Sequence, residues 1–167
     1  MKKIILTSLL ALFLFSFGQA QDYNTGIGLR GGLSNGLTIK HFISSNTALE
    51  GLISSRWRGL ELTGLYEIHN RAFQVDRLNW YYGLGAHVGF WNGDYTYRYG
   101  PPYSRWGEAG RNYAVVGIDL ILGLEYNFSE IPFNLSIDWK PAYNFLGYSG
   151  YNRFWGDGGA VSIRYIF

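Results

Sequence analysis

Residues 113–128 read YAVVGIDLILGLEYNF, and this stretch decides how the chain folds. Its even-numbered positions are apolar throughout, whereas its odd-numbered positions include Asp119, Glu125 and two glycines. Residues 78–91, LNWYYGLGAHVGFW, repeat the same alternation. Because successive side chains of a strand point to opposite faces, a period of two indicates an extended strand with one apolar face. Both stretches are therefore predicted to be β-strands.

Six further segments alternate in the same way and are separated by turn signals such as Ser34-Asn35-Gly36. The predicted strands cover residues 23–32, 37–43, 47–57, 60–69, 78–91, 113–128, 133–140 and 160–167. The two longest connections, residues 92–112 and 147–158, both follow an odd-numbered strand, so they lie at the end of the sheet opposite to the two termini. This arrangement predicts an all-β fold, an eight-stranded antiparallel up-and-down transmembrane β-barrel. Pro141 follows the seventh strand and is predicted to lie at a bulge near the outer rim.

The N-terminus has the features of a cleaved signal peptide. Lys2 and Lys3 precede an apolar run over residues 4–17, and Gly18-Gln19-Ala20 supplies the small residues that a signal peptidase reads. The apolar run is shorter than the ~18 residues that a membrane-spanning helix needs. We therefore predict a signal peptide at residues 1–20 and a barrel at residues 21–167, exported through the secretory pathway.

Composition excludes several classes of function. Without Lys2 and Lys3, the 14 basic residues fall to the number of the 12 acidic ones, so the processed chain is formally neutral and lacks the basic surface of a nucleic-acid binder. The absence of cysteine excludes disulfides and a lipid-modified N-terminal cysteine. Aromatic residues make up 19% of the chain and charged residues 16%, which suits aromatic belts outside a barrel and a crowded interior.

The volume of the barrel decides which face points outward. An eight-stranded barrel is only just wide enough for side chains to fill it. The apolar face is too bulky for that space, whereas the polar face is rich in small residues. Ile118, Leu120 and Leu122 are therefore predicted to face lipid. The large aromatic residues near strand ends are predicted to form interfacial girdles: Trp57, Trp80, Tyr82, Phe90, Tyr126, Phe128, Phe133, Tyr143, Phe145, Tyr165 and Phe167.

The charged residues of the polar face are then predicted to lie inside the barrel. Buried charges are costly without partners, so a set of both signs implies ion pairs across the lumen. The predicted lumen network comprises Arg30, Lys40, Glu50, Glu61, Glu67, His87, Asp119, Glu125, Asp138, Lys140 and Arg164. His87 and Asp119 lie on neighbouring strands and meet if the register allows. We expect this network to plug the lumen; a narrow pore is the alternative.

The signal peptide, the eight alternating segments and the C-terminal VSIRYIF together resemble the small outer-membrane β-barrels of the OmpA/OmpX type. The resemblance covers residues 21–167 and implies a Gram-negative outer-membrane location, with membrane lipid and lipopolysaccharide around the barrel. It also implies that the barrel-assembly machinery reads Val161, Ile163, Tyr165 and Phe167, residues that are equally expected to face lipid. No periplasmic peptidoglycan-binding domain is expected after the last strand.

Some eight-stranded outer-membrane barrels modify lipid A, so an enzyme is a function that this resemblance also allows. A lipid A deacylase of this type would show a His-x-Ser pair, but His41, His69 and His87 are followed by Phe-Ile, Asn-Arg and Val-Gly. Asp119 and Glu125 share a face but lie about 20 Å apart along a strand, whereas glycosidase carboxylates lie within about 10 Å. We therefore expect no enzyme, no cofactor and no metal site, and keep a lipid A-modifying enzyme as the alternative.

A binding surface is predicted in the two long loops, because binding residues concentrate in loops carried by a rigid scaffold. The candidate residues are Tyr95, Tyr97, Arg98, Tyr99, Tyr103, Arg105, Trp106, Arg153 and Trp155. Their aromatic and basic side chains suit sugars, anionic lipopolysaccharide or a protein partner, although residues 95–99 fit equally well a continuation of the strands. The chain is thus predicted to be a monomeric barrel with a structural envelope or surface-adhesion role.

Overall fold

The structure is a computed structural model, and it describes residues 23–56, 59–73, 75–92, 112–146, 154–156 and 158–167. The predicted signal peptide, residues 1–20, and the predicted girdle residue Trp57 lie outside the described residues. Within the described parts of the chain, no helix has the length and apolar character needed to cross a membrane.

The described residues form a closed antiparallel barrel, in which each strand pairs with its neighbours in sequence and the last strand pairs with the first. The strands are β1 (Thr25–Gly32), β2 (Asn35–Ser44), β3 (Thr47–Arg56), β4 (Gly59–Arg71), β5 (Leu78–Asn92), β6 (Asn112–Asn127), β7 (Phe133–Trp139), β8 (Ala142–Leu146), β9 (Phe154–Trp155) and β10 (Gly159–Ile166). β7 and β8 both pair with β6 and form the seventh strand of the barrel, while β9 and β10 form the eighth. The predicted eight-stranded up-and-down fold is confirmed.

Pro141 separates β7 from β8 without breaking the ladder to β6. Its carbonyl oxygen accepts a hydrogen bond from the backbone N–H of Leu120 at 2.9 Å. The pairing with β6 therefore continues past Pro141, although proline has no backbone N–H to donate. On the side of the eighth strand, the backbone N–H of Lys140 donates to the carbonyl oxygen of Gly158 at 3.1 Å, and Ala142 pairs with Trp155. The eighth strand therefore holds one residue more than the seventh over this stretch. The irregularity predicted at Pro141 lies in the partner strand.

The two ends of the barrel differ in their connections. The turn end carries residues 45–46, 72–73, 75–77 and 128–132, together with the beginning of β1 and the end of β10. The opposite end, called the loop end, carries residues 33–34, the last residues of β3, β5 and β8, and the first residues of β4, β6 and β9. At the turn end β4 runs on beyond the β2–β3 hairpin, because Thr47 pairs with Ile68 and β4 ends only at Arg71. The wall formed by β4 and β5 is therefore taller than the wall beside it.

The two faces of the sheet are oriented as the volume argument predicts. Ile118, Leu120 and Leu122 are exposed on the outside, with Leu120 61% accessible. The interior is filled mostly by polar and charged side chains. Among the buried apolar side chains, Leu52, Leu65, Tyr81 and Ile121 form a small cluster.

Candidate functional site

The interior of the barrel holds the charged residues of the polar face. Those with buried side chains are Arg30, Lys40, Glu50, Glu67, His87, Asp119, Glu125, Asp138, Lys140 and Arg164. Glu61 is half-buried. Each of these residues contacts a group of opposite charge or a hydrogen-bond partner on another strand. All members of the predicted network therefore lie in the same lumen.

Lys40 is the centre of the network near the turn end. Its Nζ lies 2.8 Å from Glu67 Oε2, 3.2 Å from Glu125 Oε2 and 3.6 Å from Glu50 Oε2, and none of these side chains is accessible to solvent. The ammonium also lies 4.0 Å from the centroid of the Tyr81 ring. One cation from β2 therefore holds carboxylates from β3, β4 and β6 together, and in a medium of low dielectric constant such contacts are strong.

Arg164 connects the last strand to the opposite side of the lumen. Its guanidinium donates to the carboxylate of Glu50, to Thr38 Oγ1 at 3.0 Å, to Asn134 Oδ1 at 3.1 Å and to Ser136 Oγ at 2.8 Å. All three of its nitrogens have partners, which is the condition under which a buried charge is tolerated. Since these partners lie on β2, β3 and β7, the side chain links strands on both sides of the β1–β10 pairing that closes the barrel.

A second arginine lies in the lumen, nearer the loop end than Arg164. Arg30 forms a two-pronged ion pair with Asp138, in which Nη1 donates to Oδ2 at 2.7 Å. The hydroxyl of Tyr81 donates to the same oxygen at 3.1 Å. Tyr81 thus contacts both Lys40 and Asp138 and joins the Lys40 contacts to the Arg30 pair.

His87 and Asp119 meet towards the loop end. His87 Nδ1 lies 2.7 Å from Asp119 Oδ2, and Nε2 lies 2.7 Å from Asn144 Oδ1. Lys140 contacts the other oxygen of Asp119 and lies 3.3 Å from Glu61 Oε1. This group resembles part of a catalytic dyad, but both ring nitrogens are occupied by side chains of the barrel wall. Its geometry holds β4, β5, β6 and the seventh strand together.

Several lumen residues were absent from the predicted network. His69 Nε2 lies 3.0 Å from Glu67 Oε2, and the Tyr23 hydroxyl donates to Glu125 Oε1 at 3.0 Å. Asn144 and the buried Tyr81 also belong to the network. Position in the alternation was enough to find His69 and Tyr81, which share their faces with Glu67 and His87. Alternation within the predicted first strand, residues 23–32, puts Tyr23 on the apolar face with Thr25 and Ile27, but β1 begins only at Thr25 and the Tyr23 side chain is buried in the lumen.

Glycines leave space for the large side chains that cross the lumen. A Cβ at Gly123 would lie 2.6 Å from the Tyr81 hydroxyl oxygen, and one at Gly117 would lie 2.8 Å from His87 Nε2. Side chains at these positions would collide with the two rings. The glycines of the polar face are therefore part of the packing of the interior.

The other predicted site residues occupy different places. Tyr95, Tyr97, Arg98, Tyr99, Tyr103, Arg105, Trp106 and Arg153 lie outside the described residues. Trp155 lies in β9, on the barrel wall and not in a free loop, with its ring centroid 6.1 Å from that of Trp91. The strands continue past Pro141 towards the loop end, which places Trp155 in the ladder.

The four residues of the predicted assembly signal lie along the last strand. Val161, Ile163 and Tyr165 are exposed on the outer face of β10. Phe167 follows the strand, and its carbonyl oxygen accepts a hydrogen bond from the backbone N–H of Thr25 at 2.9 Å. The C-terminal residue therefore takes part in closing the barrel.

Among the described residues, no group of three or more His, Cys, Asp or Glu side chains has the arrangement of a metal site. Comparison of the chain with models of protein families, with curated proteins and with solved structures found no match. In the described lumen, positive and negative side chains neutralise one another, and their contacts hold the strands of the barrel together.

Proposed function

We propose that this protein is an integral outer-membrane β-barrel with a structural role in the envelope, a plugged lumen, and long loops that serve as its surface for adhesion. The observation that carries the proposal is the inverted distribution of polarity. Ten charged or titratable side chains of the lumen network are buried inside, and large apolar side chains cover the outside. A water-soluble barrel of this size would show the opposite pattern.

The outer surface has the extent that a lipid bilayer requires. Soluble proteins rarely expose apolar patches larger than a few hundred Å². Here every strand of the barrel carries exposed side chains of leucine, isoleucine or an aromatic residue. Along β5, the distance from Trp80 to Phe90 corresponds to roughly 25 Å across the membrane at a tilt of about 40°, which matches the apolar band of such barrels.

Aromatic side chains border this surface at the turn end. Trp80 stacks on Tyr82 with ring centroids 5.3 Å apart, and Tyr126 and Phe128 meet edge to face at 5.2 Å. Phe133 and Tyr165 form a further pair at 5.7 Å. Amphipathic and aromatic rings are favoured at the level of lipid headgroups. These pairs support the predicted aromatic girdle and a membrane boundary near the turn end.

A charge introduced in the middle of the apolar outer surface tests the proposed location in a membrane. Leu120 lies halfway along β6, and replacing it with arginine should destabilise the protein in lipid vesicles by about 2–4 kcal/mol. Urea unfolding measures this change. Ile131→Arg, in the turn between β6 and β7, is the matched control and should cost at most about 1 kcal/mol. Equal stability of Leu120→Arg and the unchanged protein, with both soluble without detergent, would exclude a membrane location.

The filled lumen supports a scaffold over the alternative of a narrow pore. Tyr81, Leu52, Leu65 and Ile121 pack between the Lys40 contacts and the His87 contacts. We expect the purified protein to give no steady unitary currents in planar bilayers. Reproducible currents that depend on protein concentration would favour the pore.

A further inference from the structure

A polar cavity opens at the turn end of the barrel. It has a volume of about 450 Å³, which lies within the range of small-molecule sites. The tall wall formed by β4 and β5 contributes Arg71 and Asn79, the β2–β3 turn contributes Asn46, and Asn127 of β6 completes it. Arg71 and Asn79 are direct partners across the β4–β5 ladder.

Two amide side chains in the lining of this cavity have oxygens that already accept hydrogen bonds. The Oδ1 atom of Asn46 already accepts from the hydroxyls of Ser44 and Thr47, at 3.3 Å each. The Oδ1 atom of Asn127 accepts from Nδ2 of Asn134. Each amide therefore keeps its N–H donors for another partner. These two amides suit a ligand that carries acceptor oxygens.

Arg71 gives the cavity a positive charge that nothing in its lining neutralises. The buried cations of the described lumen, Arg30, Lys40, Lys140 and Arg164, all contact carboxylates. Arg71, by contrast, forms no ion pair with any described residue, and no Asp or Glu lines the cavity. A guanidinium presents a planar fork of donors that matches a carboxylate.

Aromatic rings separate the cavity from the acidic residues of the lumen. His69 forms part of the floor, stacked on Tyr81 with centroids 4.8 Å apart, and Phe42 contacts both His69 and Tyr23 edge to face. Tyr23 and His69 in turn hydrogen-bond to Glu125 and Glu67. Glu67 and Glu125 therefore lie beneath these rings and contact Lys40, and neither carboxylate lines the cavity.

We propose that this cavity binds a ligand with a free carboxylate. Arg71 takes the carboxylate, and the amide N–H groups of Asn46, Asn79 and Asn127 donate to the remaining oxygens of the ligand. A peptide C-terminus and a small organic acid both carry this chemistry. The site depends only on the fold, so its test is independent of the membrane location.

Titration calorimetry of the full chain in detergent micelles tests the proposal. The probes are N-acetyl-alanyl-alanine with a free C-terminus, the same dipeptide as its C-terminal amide, and succinate. A carboxylate bearer should bind, and the amide should give no heat above buffer. Arg71→Gln should weaken binding roughly tenfold or more, because one charge-assisted interaction is lost. Tighter binding of the dipeptide identifies a peptide terminus, and tighter binding of succinate identifies an organic acid.

Arg77→Gln is the matched control. Arg77 belongs to the same β4–β5 connection but lies outside the lining of the cavity and donates only to the carbonyl oxygen of Phe128 at 3.5 Å. This variant should bind like the unchanged protein, and the gel mobility of heated and unheated samples shows that all variants are folded. Equal binding of acid and amide, equal weakening by both substitutions, or no binding of either carboxylate would overturn the proposal.

Discussion

Replacement of Lys40 by methionine is expected to destabilise the barrel by about 3–5 kcal/mol, the usual cost of removing one partner from a buried ion pair. Methionine has a similar length and no charge, so the packing changes little while the ammonium is lost. Glu67 and Glu125 then face each other without the cation that lies 2.8 and 3.2 Å from them. Arg164 still contacts Glu50 and lies 3.9 Å from Glu125 Oε2, so the loss falls mainly on Glu67.

Urea unfolding of protein refolded in detergent, followed by tryptophan fluorescence, measures this loss. Arg77→Met removes an exposed cation from the turn end and should change stability by no more than about 0.5 kcal/mol. Adding Glu67→Gln to the Lys40→Met variant should restore part of the stability, because one uncompensated carboxylate is removed. If Lys40→Met and Arg77→Met unfold at the same urea concentration, the ion pairs around Lys40 contribute no net stability.

The alternation of the sequence was sufficient to predict the fold because it reports on the pleat of every strand. In residues 113–128 it separated Ile118, Leu120 and Leu122 from Asp119 and Glu125, and the structure places the two sets on opposite faces. The ends of the strands were less predictable. β4 continues to Arg71 because β5 offers partners beyond the predicted end at residue 69, and such pairing depends on a distant segment.

The interior was predictable as a set of residues but not as a set of contacts. Alternation identifies which side chains point inward, whereas the stagger of the strands decides which of them meet. Arg164 contacts Glu50, although the first and second strands lie between their own. The predicted network includes His87 but not His69, although alternation places His69 on the same face of β4 as Glu67, and the structure brings the two side chains into contact.

The polar cavity was not predicted because its parts come from four separate places in the chain: Tyr23, the β2–β3 hairpin, the β4–β5 hairpin and Asn127. Arg71 lies past the predicted end of its strand, and Asn46 lies in a turn that sequence marks only as a turn. Nothing in the sequence shows that the β4–β5 wall is taller than the β2–β3 hairpin. That difference follows from the pairing of Thr47 with Ile68.

Substitution of alanine for Gly28 is expected to destabilise the closing seam of the barrel by about 3 kcal/mol, the upper part of the usual range for an overpacked interior. Gly28 of β1 pairs with Arg164 of β10. An added Cβ would overlap the carbonyl oxygen of Ile163 and lie 2.6 Å from the Cα of Arg164. Because these are backbone atoms, no rotamer change relieves the overlap. The two strands must separate, and the separation also pulls Arg164 away from Glu50 and Thr38.

Gly64→Ala provides the matched control for this substitution. Gly64 lies on the outer face of β4, where an added Cβ meets nothing within 4 Å. Alanine there should be neutral or stabilise the protein by up to about 1 kcal/mol, since it restricts the unfolded chain. Urea unfolding and the gel mobility of unheated samples compare the two variants. Equal stability of Gly28→Ala and Gly64→Ala would mean that the seam between β1 and β10 has room for a methyl group, and that its close backbone approach does not stabilise the closed barrel.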